Sequence, residues 1–227
     1  AEFFVCPNIS GKLFSLTFLN TSLGTTKKLN ELPLTGNLDR DRQIIHTAAD
    51  ALFDLNLAKA RILYTLRTKA GASSEDWVTE VWESDYDGAN ATKLTSDGYL
   101  CVTPTRVHAS NFLYVSYKIG QPKIYLASTK GGEAKRVSFL RGNQLMPVIS
   151  PKLDKIAFIN DITGNPDLFV QKFSPKEGVI GRPQQIFHAP GATQGCPAFS
   201  PDGQNIAFVS NKDGTARIYT MRIPAIG

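Results

Sequence analysis

CPAFSPDGQNIAFVSNKDGTARIYTM, residues 196–221, decides the fold, because MPVISPKLDKIAFINDITGNPDLFVQ, residues 146–171, has already said nearly the same thing. Ser150 and Pro151 recur fifty residues on as Ser200 and Pro201, Ile156 as Ile206, Gly164 as Gly214, and Phe169 as Tyr219. Self-similarity at a period of 20–50 residues is the mark of repeat architectures, in which one unit cannot bury its own faces. Within the unit each segment has a physical reading. Pro197 lacks an amide donor and suits the start of a strand, and Ser200-Pro201-Asp202-Gly203 places Pro and Gly where a type I turn accepts them. NIAFVS is a short apolar run of the kind buried on both faces. Asp213-Gly214 supplies a tight hairpin, and ARIYTM returns as its second strand.

Working backwards, NFLYVSYKIGQPKIYLAS (111–128) matches KIAFINDITGNPDLFVQK (155–172), with Tyr114 on Phe158, Gly120 on Gly164 and Pro122 on Pro166. A first unit opens at RILYTLRT and closes with TEVWESDYDGANATKLT. Four units of about 44 to 50 residues, each a four-stranded meander, predict a β-propeller. Its blades begin near residue 59 and run to 227. Residues 1–58 differ: strands are expected over 11–20 and near Lys28–Leu34. A helix follows, capped by Asn37, with Asp39 and Asp41 in its first turn and Ile45, Ala48, Ala49, Leu52 and Phe53 at helical spacing. The expected fold is mainly β, about four blades preceded by part of a small α/β domain.

Composition excludes several classes. With 25 Lys and Arg interleaved among 20 Asp and Glu, the net charge of +5 gathers into no basic face, so no nucleic-acid partner is expected. No run approaches the roughly 18 apolar residues of a membrane span. Cys6, Cys101 and Cys196 form no metal spacing; they are expected as small buried hydrophobes, with a Cys101–Cys196 disulfide as the alternative. GxSxG, HExxH, Walker and GxGxxG motifs are absent, and His46, His108 and His188 share no motif and are assigned to surface or packing. Asp202 and Asp213 are read as turn residues and the DYDG at 85–88 as no calcium loop. No catalytic residue, metal or cofactor is expected.

The tandem PAFSPDGQNIAFVS units, together with RILYTLRTKAG…EVWESDYDGANATKLT after a helix-ending α/β segment, resemble the TolB family of periplasmic propeller proteins. The turn motif is shared with propellers of prolyl oligopeptidase-type and tricorn-like proteins; the Ser84–Gly88 closure of the first unit is the more telling part. The resemblance covers nearly the whole chain and implies six blades behind a complete α/β domain, so the 227 residues are expected to be a fragment. It implies no catalysis, a periplasmic location, and a scaffold of the Tol-Pal system that binds the lipoprotein Pal at the mouth of the propeller, with TolA contacted through a segment missing here. The stretches leading into each innermost strand converge at such a mouth. The predicted protein-binding residues are therefore Asp97, Gly98, Tyr99 and Leu100; Arg141, Asn143, Gln144, Leu145 and Met146; and Thr193, Gln194 and Gly195. RGNQLMP departs from the family pattern in length and in Leu145 and Met146. Two other readings are a gating propeller for a serine peptidase domain outside this chain and a sugar- or metal-binding propeller.

Overall fold

The computed structural model describes residues 3–53, 57–71, 75–108 and 110–226. The chain divides into two compact units, Ala1–Ile62 with Ser84–Ala91, and Leu63–Glu83 with Thr92–Gly227.

In the first unit, β1 (Phe3–Ser10), β2 (Leu13–Asn20) and β3 (Thr25–Pro33) form an antiparallel meander, followed by α1 (Leu38–Phe53). β1 was not expected from the sequence. Phe14 and Leu16 of β2 are buried and collect Phe18, Leu29, Leu32, Leu34 and, from the helix, Ile45. The side chains of Leu52 and Phe53 lie outside the described residues. Asn37 caps the helix as predicted, its Oδ1 accepting the Arg40 amide at 3.1 Å. The Asp41 carboxylate accepts the Thr35 and Gly36 amides at 2.7 and 3.0 Å, which holds its pKa below the usual carboxylate range. The Ser84–Ala91 turn belongs to this unit because of its carboxylates. Asp85, nearly buried, accepts from Arg61 at 2.5 Å and Asn90 at 2.7 Å, and Asp87 pairs with Arg42 and lies 3.5 Å from His46. His46 is half-buried and its ring packs on Tyr86, centroids 4.9 Å apart.

The remaining strands form four antiparallel meanders. They are β4 (Arg61–Lys69), β5 (Trp77–Asp85) and β6 (Thr92–Lys93); β7 (Cys101–His108), β8 (Asn111–Ser116), β9 (Lys123–Ser128) and β10 (Lys135–Arg136); β11 (Gln144–Ile149), β12 (Lys155–Asn160), β13 (Asp167–Ser174) and β14 (Gly178–Phe187); and β15 (Gln194–Phe199), β16 (Asn205–Ser210) and β17 (Arg217–Arg222). Two sheets have the four strands expected of each unit and two have three. The innermost strands are β7, β11 and β15, since β11 packs against both of the others.

Alternation explains why the second strand of each unit reads as an unbroken apolar run. On β8, Phe112 and Tyr114 join Val81 of the first sheet, whereas Leu113 and Val115 join Ile156 and Phe158 of the third. On β12 the pattern repeats: Ile156 and Phe158 face back, and Ala157 and Ile159 meet Ile206 and Phe208 of the fourth sheet. Among the described residues each of these three cores is thus shared between two successive sheets, the nearest-neighbour stability expected of a repeat array. The fourth sheet keeps one flank open: Ile218 is 77 % exposed, whereas Leu168, its counterpart fifty residues earlier, is 0 % exposed.

The turn between the first two strands of the last unit behaves as predicted. Gly203 takes φ 70° and its amide returns to the Ser200 carbonyl at 2.8 Å. In the preceding unit Leu153 occupies the same position at φ 56°, with its amide 2.9 Å from the Ser150 carbonyl. A Cβ is disfavoured there by about 1 kcal/mol, so Leu153→Gly should stabilise the protein by about that much, read as a higher urea midpoint at unchanged slope.

Candidate functional site

The candidate site is the set of loops that precede the three inner strands. Each is tied to its neighbourhood by a different set of polar groups. Before β7, the amides of Asp97 and Gly98 donate to the buried Glu80 carboxylate at 3.2 and 2.8 Å, and the Thr95 hydroxyl donates to it at 2.5 Å. The Asp97 carboxylate in turn accepts from Lys118 and from the Tyr114 phenol, both at 3.1 Å. Before β11, Asp161 accepts the Asn143 amide at 2.6 Å and its side-chain NH2 at 2.7 Å, while Asn160 donates to the carbonyls of Arg141 and Asn143. Before β15, Asn211, fifty residues after Asp161, accepts the Thr193 amide at 2.7 Å.

These anchors sort the predicted residues. Gly98, Tyr99, Leu100, Arg141 and Thr193 are exposed, Tyr99 at 55 %. Asp97, Asn143, Leu145, Met146 and Gly195 are half-buried, with Leu145 packed into the cores on both sides of the third sheet. Gln144 and Gln194 are buried. Their amides donate to the carbonyls of Pro122 and Pro166, both at 3.0 Å, so the same bond stitches each sheet to the one before it. These two glutamines therefore hold the rim together from within. Met146 and Gly195 meet across neighbouring sheets, where the Met146 sulfur accepts the Cys196 amide at 3.1 Å. Tyr99 and Thr193 do not meet, because they precede strands of the second and fourth sheets, with the third between.

Each inner strand also carries an irregularity at one place. Thr103, Met146 and Cys196 have φ of 48°, 52° and 48°, and each precedes a proline where the ladder register shifts. These are bulges with a left-handed first residue, a conformation that glycine usually takes.

Cys101 is buried, and desolvation, reinforced by Asp97 and Glu80, pushes its thiol up to about 12, far from nucleophilic. The same burial raises the Tyr114 phenol. All three cysteines are free, with Cys6 and Cys196 exposed, so the structure contains no Cys101–Cys196 disulfide and only Cys101 is the buried hydrophobe expected. His188 lies 2.7 Å from the buried Asp167, but that carboxylate also accepts from Thr163 at 2.5 Å and Gln185 at 2.9 Å, an arrangement that fixes a loop. Asp202 serves its turn, accepting the Gln204 amide at 2.9 Å, and Asp213 bonds Tyr219 at 2.7 Å. Among the described residues no cluster of three or more His, Cys, Asp or Glu could hold a metal, and no helix is long and apolar enough to cross a membrane.

Glu80, Lys118, Asp161 and Asn211 escaped the sequence reading. Asp161 and Asn211 occupy equivalent places fifty residues apart in the repeat, each just after the second strand of its unit.

Comparison with known proteins agrees with the propeller fold. The family profile described as "TolB beta propeller domain" matches residues 55–225. The chain is 48 % identical to the TolB homologue of Protochlamydia amoebophila, over 99 % of this chain and 50 % of that protein. It is 44 % identical to the TolB homologue of Chlamydia muridarum, over 87 % of this chain and 48 % of that one. The chain thus spans about half the length of the curated relatives it matches. Among solved structures, TolB from Acinetobacter baumannii superimposes with a TM-score of 0.70 at 20 % identity, covering 97 % of this chain and 54 % of that chain, a likeness of fold.

Proposed function

The chain belongs to the TolB β-propeller family, and on that premise we propose that it is a non-enzymatic periplasmic scaffold of the Tol-Pal cell-envelope system. In this reading it grips the peptidoglycan-associated lipoprotein Pal through residues 59–227 and so supports outer-membrane integrity and cell division. One observation carries the reading: the loops before β7, β11 and β15 expose Tyr99, Leu100, Arg141 and Thr193 on a backbone held by hydrogen bonds to the buried Glu80 carboxylate, the half-buried Asp161 carboxylate and the side-chain oxygen of Asn211. A pre-ordered surface loses little conformational entropy on docking, and aromatic and arginine side chains are the usual hot spots.

Calorimetric titration with the soluble domain of Pal tests it. Saturable binding is expected, weakened about tenfold by Tyr99→Ala and by Arg141→Ala. No binding heat, or binding indifferent to both substitutions, would overturn the assignment. Release of a chromogenic group from a prolyl peptide would overturn the non-enzymatic part.

A further inference from the structure

On the outer side of the propeller, two adjoining hollows of about 420 and 400 Å³ lie between the outer strands of the second and third sheets. Phe139 lines both and is 81 % exposed, with the Arg136 guanidinium 5.2 Å from its ring centroid; Val137 and Val179 also line both hollows. Among the described residues no large apolar side chain is more exposed than that of Phe139. The borders carry Lys135, Arg136, Lys176 and Arg182 against Glu133 and Glu177, so cations prevail.

The second observation is a buried acceptor. Gln171 is 3 % exposed and lines the second hollow. Its Nε2 donates to the Gly181 carbonyl at 2.8 Å, and its Oε1 has no hydrogen-bond partner among the described residues. An unpaired buried acceptor raises the free energy of the empty state; Oε1 is closed to solvent here, so an arriving N–H donor relieves it once the side-chain amide turns toward the hollow it lines. Beside it, β14 ends the strand order of its sheet and leaves an edge to which an extended chain can add.

We propose that this groove binds an extended peptide segment of a partner protein in which apolar side chains are flanked by acidic ones. An apolar side chain stacks on Phe139, the acids meet the prevailing cations, and a backbone N–H reaches Gln171 Oε1. Phe139 lies in the segment between β10 and β11, two residues before Arg141, so Tyr99, which precedes β7, is the rim residue that tells the two surfaces apart.

The probe is a fluorescein-labelled octapeptide alternating aspartate with valine and phenylalanine, titrated with the protein and followed by anisotropy. Saturable binding is expected, weakened about tenfold by Phe139→Ala and by Gln171→Leu, and by replacing the aspartates with lysines. Tyr99→Ala should leave it unchanged, which separates this site from the Pal reading. Absence of saturation, equal binding by wild type and Phe139→Ala, or preference for the lysine peptide overturns the proposal. So does a protein that ignores the peptide and instead binds phosphatidylglycerol vesicles in a Phe139-dependent way, which would make the groove a lipid contact.

Discussion

Phe158→Ala should lower the unfolding free energy by about 3–5 kcal/mol, the range for emptying a fully buried aromatic position. Phe158 is 0 % exposed, lies near-parallel to Phe169 with ring centroids 6.0 Å apart, and joins Leu113, Val115 and Ile124 of the second sheet. Its removal opens a cavity between two sheets at once, and neither can close it alone. Urea unfolding provides the measurement, and Phe139→Ala is the control, because its ring is 81 % exposed and its loss should change stability by about 0.5 kcal/mol or less. A loss below about 1 kcal/mol at Phe158 would contradict the shared-core account.

Gly142→Ala is the second large effect, and it acts through backbone geometry. Gly142 has φ 76°, and a Cβ built there would come within 2.3 Å of Asp161 Oδ1 and 3.1 Å of the Ile162 amide nitrogen. Asp161 cannot simply swing aside, since it accepts both nitrogens of Asn143. The alanine therefore has to strain the backbone and break the anchor of the Arg141–Asn143 loop, at a combined cost of about 2–4 kcal/mol. If the rim grips Pal as proposed, the same variant should also bind Pal more weakly at a temperature where it remains folded. A variant as stable as wild type would mean that Asp161 is not held as described.

How far the sequence carried the reading depends on whether a feature is local. The sheets were legible because KIAFIN and NFLYVS bury both faces, and a doubly buried strand must be apolar throughout; NIAFVS keeps the same apolar run, with Ile206 and Phe208 buried and the other face on the open flank. Strand β1 was not: of its residues, Phe4, Val5 and Ile9 are exposed, so burial imposed no readable pattern. The exposed rim residues Tyr99, Leu100, Arg141 and Thr193 were placed by counting back from the repeat. The bonds from the Gln144 and Gln194 backbone amides run to carbonyls in the preceding sheet, which no spacing along the chain reveals. The Asp85 and Asp87 ties to Arg61, Arg42 and His46 are hidden for the same reason, because their partners are remote in sequence. The left-handed residues were half visible: a proline follows each, but nothing about threonine, methionine or cysteine announces a positive φ.

That last feature bears on how such a protein can change over time. A residue in an ordinary ladder is constrained by its two strand neighbours, whereas Thr103, Met146 and Cys196 sit where the pairing skips a step. The proline behind each fixes the skip through its own ring and asks for no amide bond. Threonine, methionine and cysteine already occupy equivalent places, three unlike chemistries on one backbone shape. One backbone shape thus carries three unlike side chains along the innermost strands, while the sheets behind them keep one pattern.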